Sequence, residues 1–238
     1  MNWESRTELL LGKEKLEILH KSHVLVAGLG GVGAVAAEML VRAGIGNLTI
    51  ADNDIVQASN RNRQIIALTS TEGMQKTEVL AARLLDINPG LKLTVNENYL
   101  IREAIPAILE TKYDYVVDAI DTMSPKLYLI INCLEKNYRL VSSMGAGGKF
   151  NPEEVQIADI SKSYQCRLAH YIRKHLHKKG IYTGFKVVYS PEPVSKNAIQ
   201  LTDGDKNKKS IPGTLSYMPA LFGIYASSVV IRDLTGLI

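Results

Sequence analysis

The stretch His23-Val24-Leu25-Val26-Ala27-Gly28-Leu29-Gly30-Gly31-Val32-Gly33 decides the fold. Five residues suited to a buried strand run straight into Gly-x-Gly-x-x-Gly, and the spacing after it predicts a helix over 32–43. Gly28 permits a tight turn, Gly30 lets backbone approach a phosphate, and Gly33 lets the helix pack closely on the strand. Leu29, Gly31 and Val32 complete the cradle, and the N-terminus of the helix from Val32 offers unpaired N–H groups to the anion. The glycine spacing alone does not say which nucleotide is held.

The next fifty residues do. In nicotinamide and flavin enzymes an acid about twenty residues on, at the end of the second strand, bonds the adenosine ribose. Asp52 stands there, but it is followed by Asn53-Asp54, by Asn60-Arg61-Asn62-Arg63-Gln64 and by Gly73-Met74-Gln75-Lys76. Arg63 and Lys76 suit a triphosphate and the charge that develops on it during transfer, which a hydride carrier with only a pyrophosphate does not require. The set therefore points to ATP rather than NAD.

Working outward, strands are expected at 23–27, 47–51, 91–96, 114–118 and 139–143, and helices at 32–43, 74–87, 101–109 and 124–137. The alternation predicts an α/β, Rossmann-like, doubly wound and mostly parallel sheet. Asn88-Pro89-Gly90 should stop one helix, and Ser124-Pro125 should start another with Ser as cap. The strand from Tyr113 runs through Asp118 into Ala119-Ile120-Asp121, which puts a carboxylate at the carboxyl edge beside the nucleotide. Asp121 is a candidate Mg2+ ligand; by residue type alone a helix cap is an equal alternative.

At 238 residues and 46% hydrophobic, the chain can bury one full core. A single domain is expected, with a nucleotide-binding core over 1–160, a basic insertion over 161–210 and a C-terminal helix over 211–238. Cys133 and Cys166 form no Cys-x-x-Cys pair, so neither zinc nor a disulfide framework is expected. Residues 1–10 lack an apolar signal core, which predicts a cytoplasmic protein. Ser210 to Ile231 carries no charge, yet its prolines, glycines and serines favour a helix buried on the sheet over one in a membrane.

Charge is unevenly spread. Between Ser161 and Ser210 eleven Lys or Arg face three Asp or Glu, a net of +8, while the rest of the chain is −4. Arg167, Arg173, Lys174, Lys178 and Lys179, with His170, His175 and His177 among them, fall on one expected helix; Lys206, Lys208 and Lys209 form a second cluster. Such a segment suits an RNA backbone, and it equally suits a solvated face.

Gly28 to Gly33, Asp52-x-Asp54, Asn60 through Arg63-Gln64, Gly73-x-x-Lys76 and Asp118-x-x-Asp121 together resemble the ThiF/MoeB superfamily, which includes the ubiquitin-activating enzymes and adenylates carboxylates with ATP. The resemblance implies that Asp52 holds the ribose, that Asn60, Arg63, Gln64 and Lys76 hold phosphates, and that Asp121 binds Mg2+. It also implies a homodimer in which Arg6, ahead of Leu9-Leu10-Leu11-Gly12, enters the partner's site. Within the superfamily the chain is most similar to the tRNA threonylcarbamoyladenosine dehydratases. Arg6 to Gly12, Ala146-Gly147-Gly148, Lys186 to Ser190 with Glu192, and Pro212-Gly213-Thr214-Leu215-Ser216 carry that likeness.

The implied substrate is tRNA bearing threonylcarbamoyladenosine, with DNA not expected; a cysteine desulfurase is a candidate partner and a monovalent cation a candidate cofactor. Relatives commonly have Asp-Pro-Leu-Ala where this chain has Cys166-Arg167-Leu168-Ala169, so whatever that acid contacts is in question here. Cys166, among basic residues, could serve as a nucleophile, although a lone cysteine is more often structural. Two other functions fit the same residues. One is an adenylyltransferase for the C-terminal glycine of a ubiquitin-like sulfur carrier, and the other a non-catalytic nucleotide- or RNA-binding module.

Overall fold

A computed structural model describes residues 2–98, 100–201 and 210–237. The strands are β1 (His23–Ala27), β2 (Asn47–Ala51), β3 (Lys92–Asn96), β4 (Tyr115–Asp118), β5 (Leu140–Ser143), β6 (Gln156–Asp159) and β7 (Lys186–Tyr189), in one sheet of order β3-β2-β1-β4-β5-β7-β6. All neighbours are parallel except the edge strand β6, which runs antiparallel to β7. A separate hairpin pairs β8 (Ile199–Leu201) with β9 (Ser210–Pro212). Lys206, Lys208 and Lys209 lie outside the described residues.

Successive strand residues alternate between the two faces, and each face buries its own cluster. Val24, Val26, Leu48, Ile50, Val117 and Val141 meet α2 (Lys13–Lys21), α3 (Gly33–Arg42), α4 (Lys76–Ile87) and α8 (Tyr217–Thr235). Leu25, Ala27, Val116, Leu140 and Val187 meet α5 (Ile105–Ile108), α6 (Met123–Glu135) and α7 (Arg167–His177). The segment 161–210 thus contributes both a strand and a helix to the main layers.

Buried Glu38 on α3 joins Arg42 (2.8 Å) and Arg83 of α4 (2.6 Å), locking two helices of one layer. At the amino edge of the sheet Asp233 of α8 receives the hydroxyl of Tyr115 at 2.8 Å and the ammonium of Lys186 at 2.5 Å. The uncharged segment ending at Ile231 therefore forms most of a core helix, and among the described residues no helix is long and apolar enough to cross a membrane.

Three expectations are corrected. The helix expected over 101–109 is a single turn, because Pro106 lacks the N–H that a helix begun at 101 would need there and stands instead in the first turn of Ile105–Ile108. The helix expected from 74 starts at Lys76, since Gln75 is extended and bridges Ile55. Thr122, not Ser124, stands at the N-cap position of α6, without a side-chain capping bond, which places Pro125 still inside the first turn.

Candidate active site

β1 lies between β2 and β4, so the strand order reverses there and a crevice opens at its carboxyl end, the place where open α/β sheets take ligands. Gly28 turns at that end with φ of 88°, and a Cβ on it would meet the Ala119 carbonyl oxygen at 2.8 Å. A Cβ on Gly33 would overlap the Gly28 carbonyl oxygen outright. Sterics demand both glycines. Gly30 differs, since a Cβ there would meet nothing nearer than Gln64 Nε2 at 3.8 Å. The loop is kept open on that side.

Asp52, at the end of β2, is buried and fastens this loop. Its Oδ2 accepts the Leu29 N–H at 2.6 Å and its Oδ1 accepts the Asp54 N–H at 2.8 Å. The Leu29 amide is thereby taken up by the carboxylate. Burial pushes the Asp52 carboxyl above its ordinary value, while the charge of Lys76 and the two amides pull the other way. A carboxylate held this rigidly at a strand end can receive a pair of ribose hydroxyls without rearranging.

Lys76 begins α4 with its stem buried and its ammonium 2.7 Å from Asp54, whose side chain is 62% exposed. An ion pair with so exposed a partner contributes little to stability, so a phosphate can displace Asp54 at small cost. Arg63 is half-buried and donates through Nη1 to the Ser59 carbonyl (2.9 Å) and to Asn62 Oδ1 (2.8 Å), bonds that engage neither Nε nor Nη2. Asn60 is buried and accepts the Gln57 N–H at 3.1 Å, shaping the turn that presents Arg63. Gln64 is buried beside Gly30 with its Oε1 unpaired, as is Gln75 Oε1 at the start of α4. An orphaned buried amide oxygen on Gln64, next to the open glycine loop, marks a site shaped for a polar ligand.

Asp121 is exposed on the turn after β4, and Asp118 three residues earlier is fully buried with Lys126 of α6 (2.8 Å). Sequence reasoning missed Lys126. The signal was present: Lys126 shares a helix stripe with Leu129, Ile130 and Cys133, and a lysine on a core stripe needs a buried partner.

Arg6 is not brought to this site. It is exposed on α1 (Ser5–Leu11), and Glu4 just before that helix bonds His20 (2.8 Å), which precedes β1. A Cβ on Gly44, which precedes β2, would meet the same Glu4 at 3.1 Å. Arg6 thus sits near the amino edge of the sheet, about a strand length, roughly 16 Å, from its own cradle. No residue of α1 is buried, and Trp3, Leu9 and Leu10 are 50%, 81% and 85% exposed.

Cys166 is buried at the start of α7 among core residues, which withdraws it from any bulky acceptor. Nearby, the buried Lys149 ammonium donates to the Glu192 carbonyl, and the Glu192 carboxylate accepts the N–H groups of Phe150 and Asn151, each at 3.0 Å. Burial lowers the pKa of Lys149, with Cys166 and Glu192 opposing the shift. Tyr217 of α8 donates to the Phe150 carbonyl at 2.6 Å, and Pro219 of the same helix packs over Gly31, which ties this region to the glycine loop.

The basic helix α7 feeds β7, so it runs antiparallel to that strand and its first turn lies at the carboxyl edge, where the crevice opens. Its buried stripe is Ala169, Ile172 and Leu176. The helix contains no acidic residue, and Arg167, His170, Lys174 and His177 are exposed.

The sequence pattern of the ThiF family matches residues 5–237. A Bacillus subtilis protein named tRNA threonylcarbamoyladenosine dehydratase is 38% identical over 237 residues, 97% of this chain and 93% of its own. The crystal structure of the E. coli tRNA N6-threonylcarbamoyladenosine dehydratase, TcdA, in complex with ATP has a TM-score of 0.88 at 33% identity, covering 98% of this chain and 93% of that one. The E. coli sulfur carrier protein ThiS adenylyltransferase is 37% identical over a shorter span, 54% of this chain and 51% of its own. A match that takes in the glycine loop, Asp52, Lys76 and Asp121 along with nearly all the rest of the chain leaves one assignment: the protein belongs to the ThiF family.

Proposed function

We propose that the protein is an ATP-dependent dehydratase that cyclises threonylcarbamoyladenosine in the anticodon loop of tRNA through a carboxyl-adenylate. The observation that carries this reading is α7, an acid-free helix that starts at the same sheet edge as the nucleotide crevice. A ubiquitin-like carrier would need a groove for an extended peptide there, whereas a row of exposed cations suits phosphates. The near full-length likeness to dehydratases supports the same choice.

In this mechanism Asp52 holds the ribose and the glycine loop approaches the phosphates. Lys76 leaves Asp54 for the phosphates, joined by Arg63 and by amide groups of Asn60 and Gln64. The substrate carboxylate attacks the α-phosphorus and pyrophosphate leaves. The carbamoyl group of the same nucleoside then attacks the acyl carbon, closing a ring and expelling AMP. One water is lost from the nucleoside overall, its oxygen leaving on AMP. The donor set at Asp121 fits Mg2+, an ion that takes one or two carboxylates and completes its shell with phosphate oxygens and water. Bound there, it would neutralise phosphate charge.

Arg6 lies far from its own crevice on a helix with exposed Leu9 and Leu10, which supports a second copy of the chain covering α1 and receiving Arg6. The test is incubation of the protein with ATP, Mg2+ and tRNA bearing threonylcarbamoyladenosine, then nucleoside digestion and mass spectrometry. A product lighter by one water, abolished in Lys76→Ala, is expected. An unchanged nucleoside alongside pyrophosphate exchange that depends on a carrier protein would replace this reading with carrier activation.

A further inference from the structure

The contacts of the buried ion pair between β4 and α6 converge on one residue, Ile120. Asp118 and Lys126 are both wholly inaccessible. Lys126 Nζ lies 2.8 Å from Asp118 Oδ2 and donates to the Ile120 carbonyl at 2.9 Å. Asp118 Oδ1 accepts the Ile120 N–H at 3.1 Å, and Ser142 of β5 donates its hydroxyl to Asp118 Oδ2 at 2.5 Å. Both peptide groups of Ile120 are therefore clamped by the same pair. The Ile120 carbonyl belongs to the peptide that carries the Asp121 nitrogen, so fixing its plane fixes where the Asp121 side chain departs.

The start of the same turn, where it meets the cradle, is held by backbone instead. The Ala119 N–H donates to the Ala27 carbonyl at 2.8 Å, and the Ala119 carbonyl is the group that excludes a Cβ from Gly28. Replacing a buried ion pair by packed apolar residues is often neutral or stabilising, so stability alone does not explain retaining this one. We infer that Lys126 is a positioning residue: with Asp118 it holds the 119–121 turn so that Asp121 meets a nucleotide-bound divalent cation, while Asp118 itself is neutralised by its partner. This rests on the proposed role of Asp121 as a cation ligand.

The test is calorimetric binding of ATP with Mg2+ and, separately, in EDTA, for the wild type, Lys126→Arg, the double variant Asp118→Asn with Lys126→Gln, and Asp121→Asn. Thermal melting is recorded beside each. The double variant removes both charges together, so no lone buried charge prevents folding. The expected result is EDTA affinity within about twofold of the wild type in Lys126→Arg and the double variant, since the cradle and Asp52 are untouched. The gain that Mg2+ brings should persist in Lys126→Arg and fall at least about fivefold in the other two. A double variant that keeps the full Mg2+ gain overturns the inference, as does one that loses affinity equally in EDTA and Mg2+, the mark of a purely structural pair. A wild type without any Mg2+ gain, yet active on tRNA, would remove the cation role of Asp121 and this inference with it, while leaving the dehydratase reading intact.

Discussion

Gly30 and Gly33 sit three residues apart in one loop, yet the structure separates what alanine does at each. At Gly33 the new methyl would overlap the Gly28 carbonyl oxygen, a backbone atom that cannot swing aside, so α3 must move off β1. Overpacking of this kind costs about 1–3 kcal/mol. In a domain of this size each kcal/mol shifts Tm by about 2–4 °C, so Gly33→Ala should melt about 2–12 °C lower. Gly30 is not among the glycines with positive φ, and its methyl would meet only Gln64 Nε2 at 3.8 Å. Replacing it should leave Tm unchanged or raise it, because alanine restricts the unfolded chain by about 0.4–1 kcal/mol. The methyl would nevertheless fill the space through which a phosphate approaches the loop, so ATP affinity should fall at least about tenfold, roughly 1.4 kcal/mol. Differential scanning fluorimetry and titration calorimetry on the two variants decide the matter. If Gly30→Ala melts as low as Gly33→Ala, or binds ATP as the wild type does, the loop is not the phosphate cradle described here.

Two further outcomes follow from the geometry. If Arg6 acts in the partner's crevice, Arg6→Ala and Lys76→Ala proteins should each be inactive alone, yet mixing equal amounts should restore about a quarter of wild-type activity per chain, from hybrid dimers with one intact site; no recovery after verified subunit exchange would place Arg6 outside catalysis. Burial holds the His23 imidazole below its ordinary pKa of 6.5, against the opposing pull of Asp114 and the Lys112 carbonyl, and its Nε2 lies 2.8 Å from Thr49 Oγ1. Below about pH 6.5 the unfolded chain takes up a proton that the native ring refuses, so stability falls as pH drops toward the folded pKa. The Tm loss between about pH 7 and pH 5.5 should therefore be smaller in His23→Gln than in the wild type, and equal losses would show that the ring titrates alike in both states.

The nucleotide half was legible because its chemistry is written in local spacing. Glycines three residues apart, an acid at a strand end and a lysine three residues after Gly73 are patterns a sequence displays directly, and β1, β2 and Asp52 lie where those patterns put them. What escaped depends on contacts across the sheet. Lys126 looks like an ordinary helix lysine until α6 is laid on β4 and its partner Asp118 is found. The anchoring of the loop through the Leu29 amide needs β1 and β2 side by side. The edge strand β6 runs antiparallel to β7, and no periodicity of Gln156 to Asp159 announces that. Arg6 carried its signal only as a resemblance, since its distance from its own crevice is a property of how α1 folds against α2.

The burial of both cysteines bears on how an acyl-adenylate would be discharged. Cys133 lies in the α6 core, and burial, aided by the nearby charge of Asp118, pushes its thiol far above the ordinary range. Cys166 is covered by the helix it starts and by the second core cluster. A relay through a thioester needs a thiolate that a macromolecular acceptor can reach, and neither position offers one. Ring closure within the nucleoside removes the requirement, because acceptor and acyl carbon already belong to one molecule. Well-oriented intramolecular reactions reach effective molarities of about 10^5–10^8 M, more than a positioned enzyme nucleophile needs to supply. The demands on the protein then reduce to holding ATP, aiming the carboxylate at the α-phosphorus and neutralising the charge that develops there. Lys76, Arg63 and Asp121 at the crevice are groups suited to those tasks.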